Sequence, residues 1–240
     1  MKMIATLYDA QTFRQIRKCD CLVTLTQGDA DEWRKHAENI IVIPNPVTRY
    51  PDVVKQHDGR GKRIISVGRL EKEKGFDMLI DAFSMFAERC PGWKLYIFGK
   101  GSQEKELHKQ IKRLNLEWYV RINAPTNSLY EEYQKSEFYV LSSRYEGFGL
   151  VLLEAMSCGI PCVAFNCKYG PAGIIDDGRS GLLAENGNVR ELAEKMIIMA
   201  ADKEERLRMG IEARKQTAKY KKDNIMQKWI ELLGEYKGQR

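Results

Sequence analysis

Apolar residues recur along this chain in two rhythms. Arg63 to Val67, Lys94 to Phe98, Tyr119 to Ile122, Phe138 to Leu141, Pro161 to Phe165 and Gly181 to Ala184 are short, mostly apolar runs with the length and branching of buried strands. Between them the period lengthens to that of a helix. After the first run, Phe76, Leu79, Ile80, Phe83 and Phe86 share one stripe, and Asp77, Asp81, Ser84 and Glu88 fall on the other side. Strand and helix patterns alternating in this way predict an α/β fold, a doubly wound Rossmann-like parallel sheet across residues 62–222. Asn188-x-x-Glu191 and Asp202-x-x-Glu205 each set a capping side chain three positions before an acid, marking two further helix starts.

Ahead of that sheet, Cys21 to Leu25 and Ile40 to Ile43 read as strands around a helix that Thr26 caps and that runs through His36. Residues 1–46 therefore hold part of another α/β unit. Residues 47–61 are polar and broken by Pro51 and Gly59, which predicts an interdomain linker. Residues 223–240 form a last helix opened by Asp223, with Ile225, Trp229, Leu232, Leu233 and Tyr236 on one stripe.

Composition narrows the class. An apolar fraction of 43% and a charged fraction of 30% are ordinary for a globular protein, and no stretch is long and apolar enough to span a membrane. Met1-Lys-Met-Ile-Ala-Thr-Leu meets Asp9, Arg14, Arg17 and Lys18 too soon for a secretion signal, so the cytoplasm is the expected compartment. The net charge of +6 gathers toward the C-terminus at Lys203, Arg206, Arg208, Arg214, Lys215, Lys219, Lys221 and Lys222. Such a run suits a solvated helix face or peripheral contact with the anionic inner surface of a membrane. Nucleic acid is not expected, because no reading motif accompanies the charge. The six cysteines lack metal-ligand spacing and the three histidines lie in polar, charged surroundings, so no metal is expected.

The richest chemistry lies in Glu146-Gly-Phe-Gly-Leu-Val-Leu-Leu-Glu154-Ala-Met-Ser-Cys-Gly159-Ile-Pro161. Gly147 and Gly149 let backbone approach a ligand, and the helix they open presents unpartnered N–H groups to an anion. A helical path would separate Glu146 and Glu154 by roughly 12 Å along its axis. That exceeds the spacing of about 5 Å of a retaining glycosidase pair, so the two carboxylates are expected to serve different parts of one ligand. Arg69 and Lys74 fall in the turn after the first strand of the sheet, at the edge where such folds bind ligands.

Together with Ser66-Val-Gly68-Arg69-Leu-Glu-Lys-Glu-Lys74-Gly75, Phe98-Gly99-Lys100-Gly101 and Tyr169-Gly170-Pro171 through Ile175-Asp-Asp-Gly178, this segment resembles the C-terminal signature of retaining glycosyltransferases of family 4. The resemblance covers about residues 20 to 240 and is specific as a set. It implies a GT-B fold of two facing Rossmann-like domains, of which the chain holds the donor-nucleotide domain and the end of the N-terminal acceptor-binding domain. On this expectation the chain is part of a longer protein or works with a separate N-terminal acceptor domain.

The resemblance further implies that Gly68, Arg69 and Lys74 hold the donor diphosphate. Glu146 would bind sugar hydroxyls, and Glu154 would accept from the ribose. Backbone around Gly147, Phe148, Gly149, Leu150 and Val151 would hold sugar and phosphate oxygens, and Ile122 and Asn123 would lie near the base. Arg69, Lys74 and Glu146 are the implied catalytic set. The implied reaction moves a hexose or N-acetylhexosamine from a nucleotide sugar, with UDP favoured, to a glycan or lipid-linked acceptor without a metal or other cofactor. A noncatalytic nucleotide-sugar-binding subunit and a GT-B nucleotide-sugar epimerase are the alternatives. A dinucleotide-dependent dehydrogenase is disfavoured because Gly99-x-Gly101-x-x-Glu104 lacks the third glycine.

Overall fold

The computed structural model describes residue 16, residues 19–52 and residues 61–237, with side chains as far as residue 235. The expectations for residues 1–15, for linker residues 53–60 and for the side chain of Tyr236 lie outside the described residues.

The first unit is small. Strand β1 (Leu22–Thr24) pairs in parallel with β2 (Ile40–Val42), and α1 (Gln27–Trp33) crosses between them. Thr26 caps α1 as its sequence predicts, its hydroxyl accepting from the Asp29 N–H at 3.1 Å. The helix stops at Trp33, short of His36.

The second unit carries the predicted sheet. Its six parallel strands are β3 (Arg63–Val67), β4 (Lys94–Phe98), β5 (Val120–Asn123), β6 (Phe138–Leu141), β7 (Cys162–Asn166) and β8 (Gly181–Glu185). They run in the order β5-β4-β3-β6-β7-β8, so the chain starts in the middle, winds outward to one edge and then returns to wind the other way. The crossovers are α2 (Phe76–Arg89), α3 (Glu104–Arg113), α4 (Leu129–Gln134), α5 (Leu150–Ser157) and α6 (Pro171–Ile174), and α7 (Val189–Ala201) follows the last strand. Helices α8 (Lys203–Thr217) and α9 (Lys222–Lys237) follow. Strand β5 starts one residue later than its apolar pattern suggests, because the Tyr119 N–H closes a turn on the Leu116 carbonyl.

Period-two alternation sorts the core. Ile64 on β3 faces a cluster with Leu79, Ile80, Phe83 and Phe86 of α2, and its neighbour Ile65 faces one with Tyr139, Leu152 and Met156. All are fully buried, and burying such a side chain contributes about 1.5–3 kcal/mol. Asn188 and Asp202 cap α7 and α8 by accepting from Glu191 N–H and Glu205 N–H at 3.1 and 2.9 Å.

Two features depart from the sequence pattern. The first concerns the basic run, because Arg206 is only 3% exposed. Its guanidinium donates to Glu137 at 3.2 Å and to the carbonyls of Met199 and Ala200 at 3.0 and 3.1 Å, over the Trp93 ring. Arg214 is likewise turned inward, onto the carbonyls of Ser157 and Pro51. Arg208 and Lys215 pair with Glu205 and Glu212. The run is therefore less a free basic surface than its composition suggests. The second is the segment after the first unit: Val47 is buried with its N–H on the Tyr220 carbonyl at 2.9 Å, and the Tyr50 hydroxyl donates to the Arg214 carbonyl at 3.1 Å. Helix α9 then crosses back, packing Ile225 and Leu232 against Cys21 and Ile43 of the first unit.

Candidate functional site

Strands β3 and β6 are neighbours whose crossovers leave in opposite directions, so a crevice opens beyond their carboxyl ends. Ligands of open α/β sheets bind at such switch points. Glycines allow the turns around it to nest. A Cβ on Gly99 would lie 1.9 Å from the Gly68 carbonyl oxygen, and one on Gly75, which has φ +64°, would lie 2.0 Å from the Ser142 carbonyl. The turn after β3, with its single 3₁₀ turn at Lys72–Lys74, is thereby pressed onto the end of β6.

This contact aims Lys74 into the crevice. The Ser142 hydroxyl donates to the Lys74 carbonyl at 3.0 Å, and the lysine stem runs over Gly68, where no side chain obstructs it. Its ammonium donates to Glu146 Oε1 at 2.6 Å, and the Ser143 hydroxyl donates to the same oxygen at 2.6 Å. Glu146 is 7% exposed, so its carboxylate is held by a cation and a hydroxyl rather than by water. Arg144 locks the two turns together. Its N–H donates to the Glu73 carbonyl at 2.8 Å, and its guanidinium forms a fork on Asp77 at 2.8 and 2.6 Å. Burial pushes the Asp77 carboxyl up, but the Arg144 hydrogen bond and charge outweigh this and hold it below its ordinary value.

The other wall is the start of α5. Gly149 precedes it at φ +87° and no side chain caps the helix, so the Leu150 and Val151 N–H groups are left for a ligand, while the Leu152 N–H donates to the Gly149 carbonyl at 2.9 Å. A side chain on Gly147 would meet nothing within 4 Å, which leaves that backbone open. Phe148 contributes backbone alone, since its ring is buried edge-on to Tyr220 at 6.0 Å. Gly170 presses on Glu146 from behind; a Cβ there would be 3.0 Å from the Glu146 Cβ.

Glu154 lies farther along α5. Tyr133 and Thr48 donate to it, Tyr133 at 3.4 Å, and burial raises its carboxyl above the ordinary value despite them. Glu146 and Glu154 thus share no hydrogen-bond partner, Lys74 and Ser143 holding the first and Tyr133 and Thr48 the second. The structure gathers Gly68, Lys74, Glu146, Gly147, Gly149, Leu150 and Val151 around the crevice. Arg69 is not brought in: it is 74% exposed and pairs with Glu73 at 2.8 Å. Ile122 and Asn123 end β5, two strands from β3, and the Asn123 carbonyl accepts from the Gly99 N–H at 2.9 Å. Sequence reasoning missed Ser143, Arg144, Tyr133 and Thr48. Position directly after β6 was the available signal for the first two; Thr48 was hidden in a segment read as a connector.

A Glu154→Gln variant separates stability from binding. A carboxyl whose folded pKa is raised stabilises the fold most when protonated, below the ordinary carboxylate range, and that contribution is lost as pH rises through the raised value. At neutral pH the variant should therefore melt no lower than the parent, and at acidic pH the two should converge. If Glu154 accepts from ligand hydroxyls, affinity should fall about tenfold, one charge-assisted hydrogen bond. Melting curves across pH, with and without UDP, check both halves.

A family model for glycosyl transferases group 1 matches residues 52–216. An uncharacterized glycosyltransferase of Haemophilus influenzae is 34% identical over 220 residues, covering 91% of this chain and 62% of that protein. The amylovoran biosynthesis glycosyltransferase AmsD of Erwinia amylovora is 32% identical over 88% of this chain and 61% of its own length. Among solved structures, a variant of S. aureus TarM in complex with fondaparinux, alpha-GlcNAc-glycerol and UDP superposes with a TM-score of 0.84 at 27% identity, over 96% of this chain and 50% of that one. The pneumococcal O-GlcNAc transferase GtfA in complex with UDP and GlcNAc gives 0.80 at 25% identity, over 95% and 47%. The chain spans less than two thirds of each of these proteins. Its sheet is the Rossmann-like sheet of GT-B enzymes, and the chain belongs to the group 1 glycosyl transferases.

Proposed function

We propose that residues 61–237 form the donor site of a retaining glycosyltransferase that moves a hexose or N-acetylhexosamine from a UDP-sugar to a glycan or lipid-linked acceptor. The observation that carries this reading is the Lys74–Glu146–Ser143 cluster facing an uncapped, glycine-led helix at the switch point of the sheet. Breaking a glycosyl–diphosphate bond puts negative charge on the departing phosphate. Lys74 and the first N–H groups of α5 meet that charge as fixed, preorganised donors. Glu146, held by Ser143, accepts from hydroxyls of the donor sugar, and Glu154 accepts from the ribose. Glu146 is a binding group here rather than a nucleophile.

UDP is favoured because GtfA and the TarM variant are both bound to it. The first unit, residues 1–46, is read as part of the acceptor-binding side. Arg69 enters as a second phosphate ligand only by leaving Glu73. A thermal-shift screen of UDP, GDP and NAD tests the donor reading. UDP at 100 times its dissociation constant should stabilise by about 2.7 kcal/mol. Stabilisation by NAD alone would contradict it.

A further inference from the structure

Trp118 is the most exposed large apolar side chain among the described residues, at 77%, and Tyr119 beside it is 41% exposed. They stand on the turn from α3 into β5, at the amino ends of the strands and thus at the opposite edge of the sheet from the crevice. The turn is ordered by its backbone: the Tyr119 N–H donates to the Leu116 carbonyl at 2.9 Å, and the Tyr119 carbonyl accepts from the Leu95 N–H at 2.8 Å. An exposed indole on a rigid turn, with no neighbour covering it, is a protruding apolar group rather than a frayed one.

Cations gather at the same edge. Asn115, at φ +56° with its N–H on the Lys112 carbonyl, turns the end of α3 back and leaves Lys112 and Arg113 exposed beside Trp118. Lys94 opens β4, its N–H donating to the Lys62 carbonyl at 2.8 Å, and the Lys62 ammonium reaches the Pro91 carbonyl at 3.0 Å. Arg89 closes α2 next to Cys90, close enough with Lys62 to act on its thiol. None of Lys62, Arg89, Lys94, Lys112 and Arg113 forms an ion pair among the described residues. Elsewhere Lys109, Lys135, Arg208 and Lys215 each pair with a nearby acid. The acids on these two turns are Glu88 and Glu117, so the turns themselves keep a positive excess, while Asp202 and Glu204 at the start of α8 are the further exposed acids at this end of the sheet.

We propose that this edge docks on an anionic membrane surface, with Trp118 seated at the headgroup level and the five cations over acidic headgroups. Trp is suited to that depth because its ring is apolar and its N–H is polar, and each basic residue near such a surface adds a similar electrostatic increment. A second copy of the chain fits less well, because it would bring the same cations face to face. A single-stranded nucleic acid would need successive aromatics along a groove, and Trp118 stands on a convex turn. In this orientation the crevice faces away from the bilayer, open to a soluble donor and to a glycan acceptor rather than to a lipid-linked one in the same bilayer. The proposal does not depend on which nucleotide the crevice binds.

Flotation of the full chain with phosphatidylcholine vesicles, with and without phosphatidylglycerol, tests it. The chain should float with the anionic vesicles alone, and less so in high salt. Trp118→Ala should lower partitioning about tenfold, and Lys112→Ala and Arg113→Ala about fivefold each. Melting temperatures should stay unchanged, because all three side chains are exposed. Trp33 and Trp93 are buried and Trp229 is half-buried against the first unit, so a blue shift of tryptophan emission on vesicle addition that Trp118→Ala removes would report the insertion directly. Failure of the parent chain to float overturns the proposal, as does flotation that Trp118→Ala leaves unchanged. Self-association lost in Trp118→Ala, or displacement from vesicles by oligonucleotide at this edge, would overturn it in favour of a second copy or of nucleic acid.

Discussion

Lys74→Ala is expected to weaken UDP binding by at least about tenfold, the loss of one charge-assisted hydrogen bond of about 1.5–3 kcal/mol. Any turnover should fall further, by about 100-fold to 1,000-fold, because the diphosphate gains charge only as the bond breaks. The variant also strands Glu146, 7% exposed, beside Ser143 alone, so the fold should lose stability as well. Pairing Lys74→Ala with Glu146→Gln separates the two effects: stability should return and nucleotide affinity should not. Arg69→Ala should cost less than Lys74→Ala, since Arg69 is 74% exposed and must leave Glu73 to reach a phosphate. Calorimetric titration with UDP reads these differences, and an unchanged affinity in Lys74→Ala would remove this residue from the site.

Arg206→Ala should destabilise the protein by about 3–5 kcal/mol, the cost of leaving a buried charge without its partner. The pair is closed on both sides, with side chains of Arg206 and Glu137 3% and 5% exposed. Its loss would also orphan the Met199 and Ala200 carbonyls and uncover Trp93. For a chain of this size the melting temperature should drop by about 10 °C. Replacing both partners with apolar residues, Arg206→Met with Glu137→Leu, should recover much of the loss, because breaking a buried pair costs more than replacing it. UDP affinity should not change, since neither residue reaches the crevice. Urea titration and calorimetry together check this; a drop below about 1 kcal/mol would mean the pair is hydrated in solution.

Much of this architecture was legible before any coordinate. Strand runs such as Phe138 to Leu141 are buried on both faces and therefore apolar throughout, so they stand out from the amphipathic helices between them. The glycine-led start of α5 was readable for a similar local reason, because Gly149 takes a backbone conformation that other residues avoid. What was not legible depends on tertiary position. Arg206 reads as one more cation in a basic run, and its Glu137 partner is far away in sequence. Tyr50 and Pro51 look like linker residues until Arg214 is seen to hold them. Arg144 and Asp77 clamp the turn after β3 across two crossovers that no spacing rule connects. Trp118 carries no pattern at all, since exposure of a single aromatic is a property of the surface and not of the string.

A nucleoside diphosphate is expected between the carboxyl ends of β3 and β6, and a crystal structure of the full chain with UDP would show it. Phosphate oxygens should lie within hydrogen-bond reach, about 2.7–3.2 Å, of the Lys74 ammonium and of the first backbone N–H groups of α5, with the ribose toward Glu154. UDP bound elsewhere on the chain, or bound in the crevice with Lys74 still held on Glu146 and away from the phosphates, would contradict this placement.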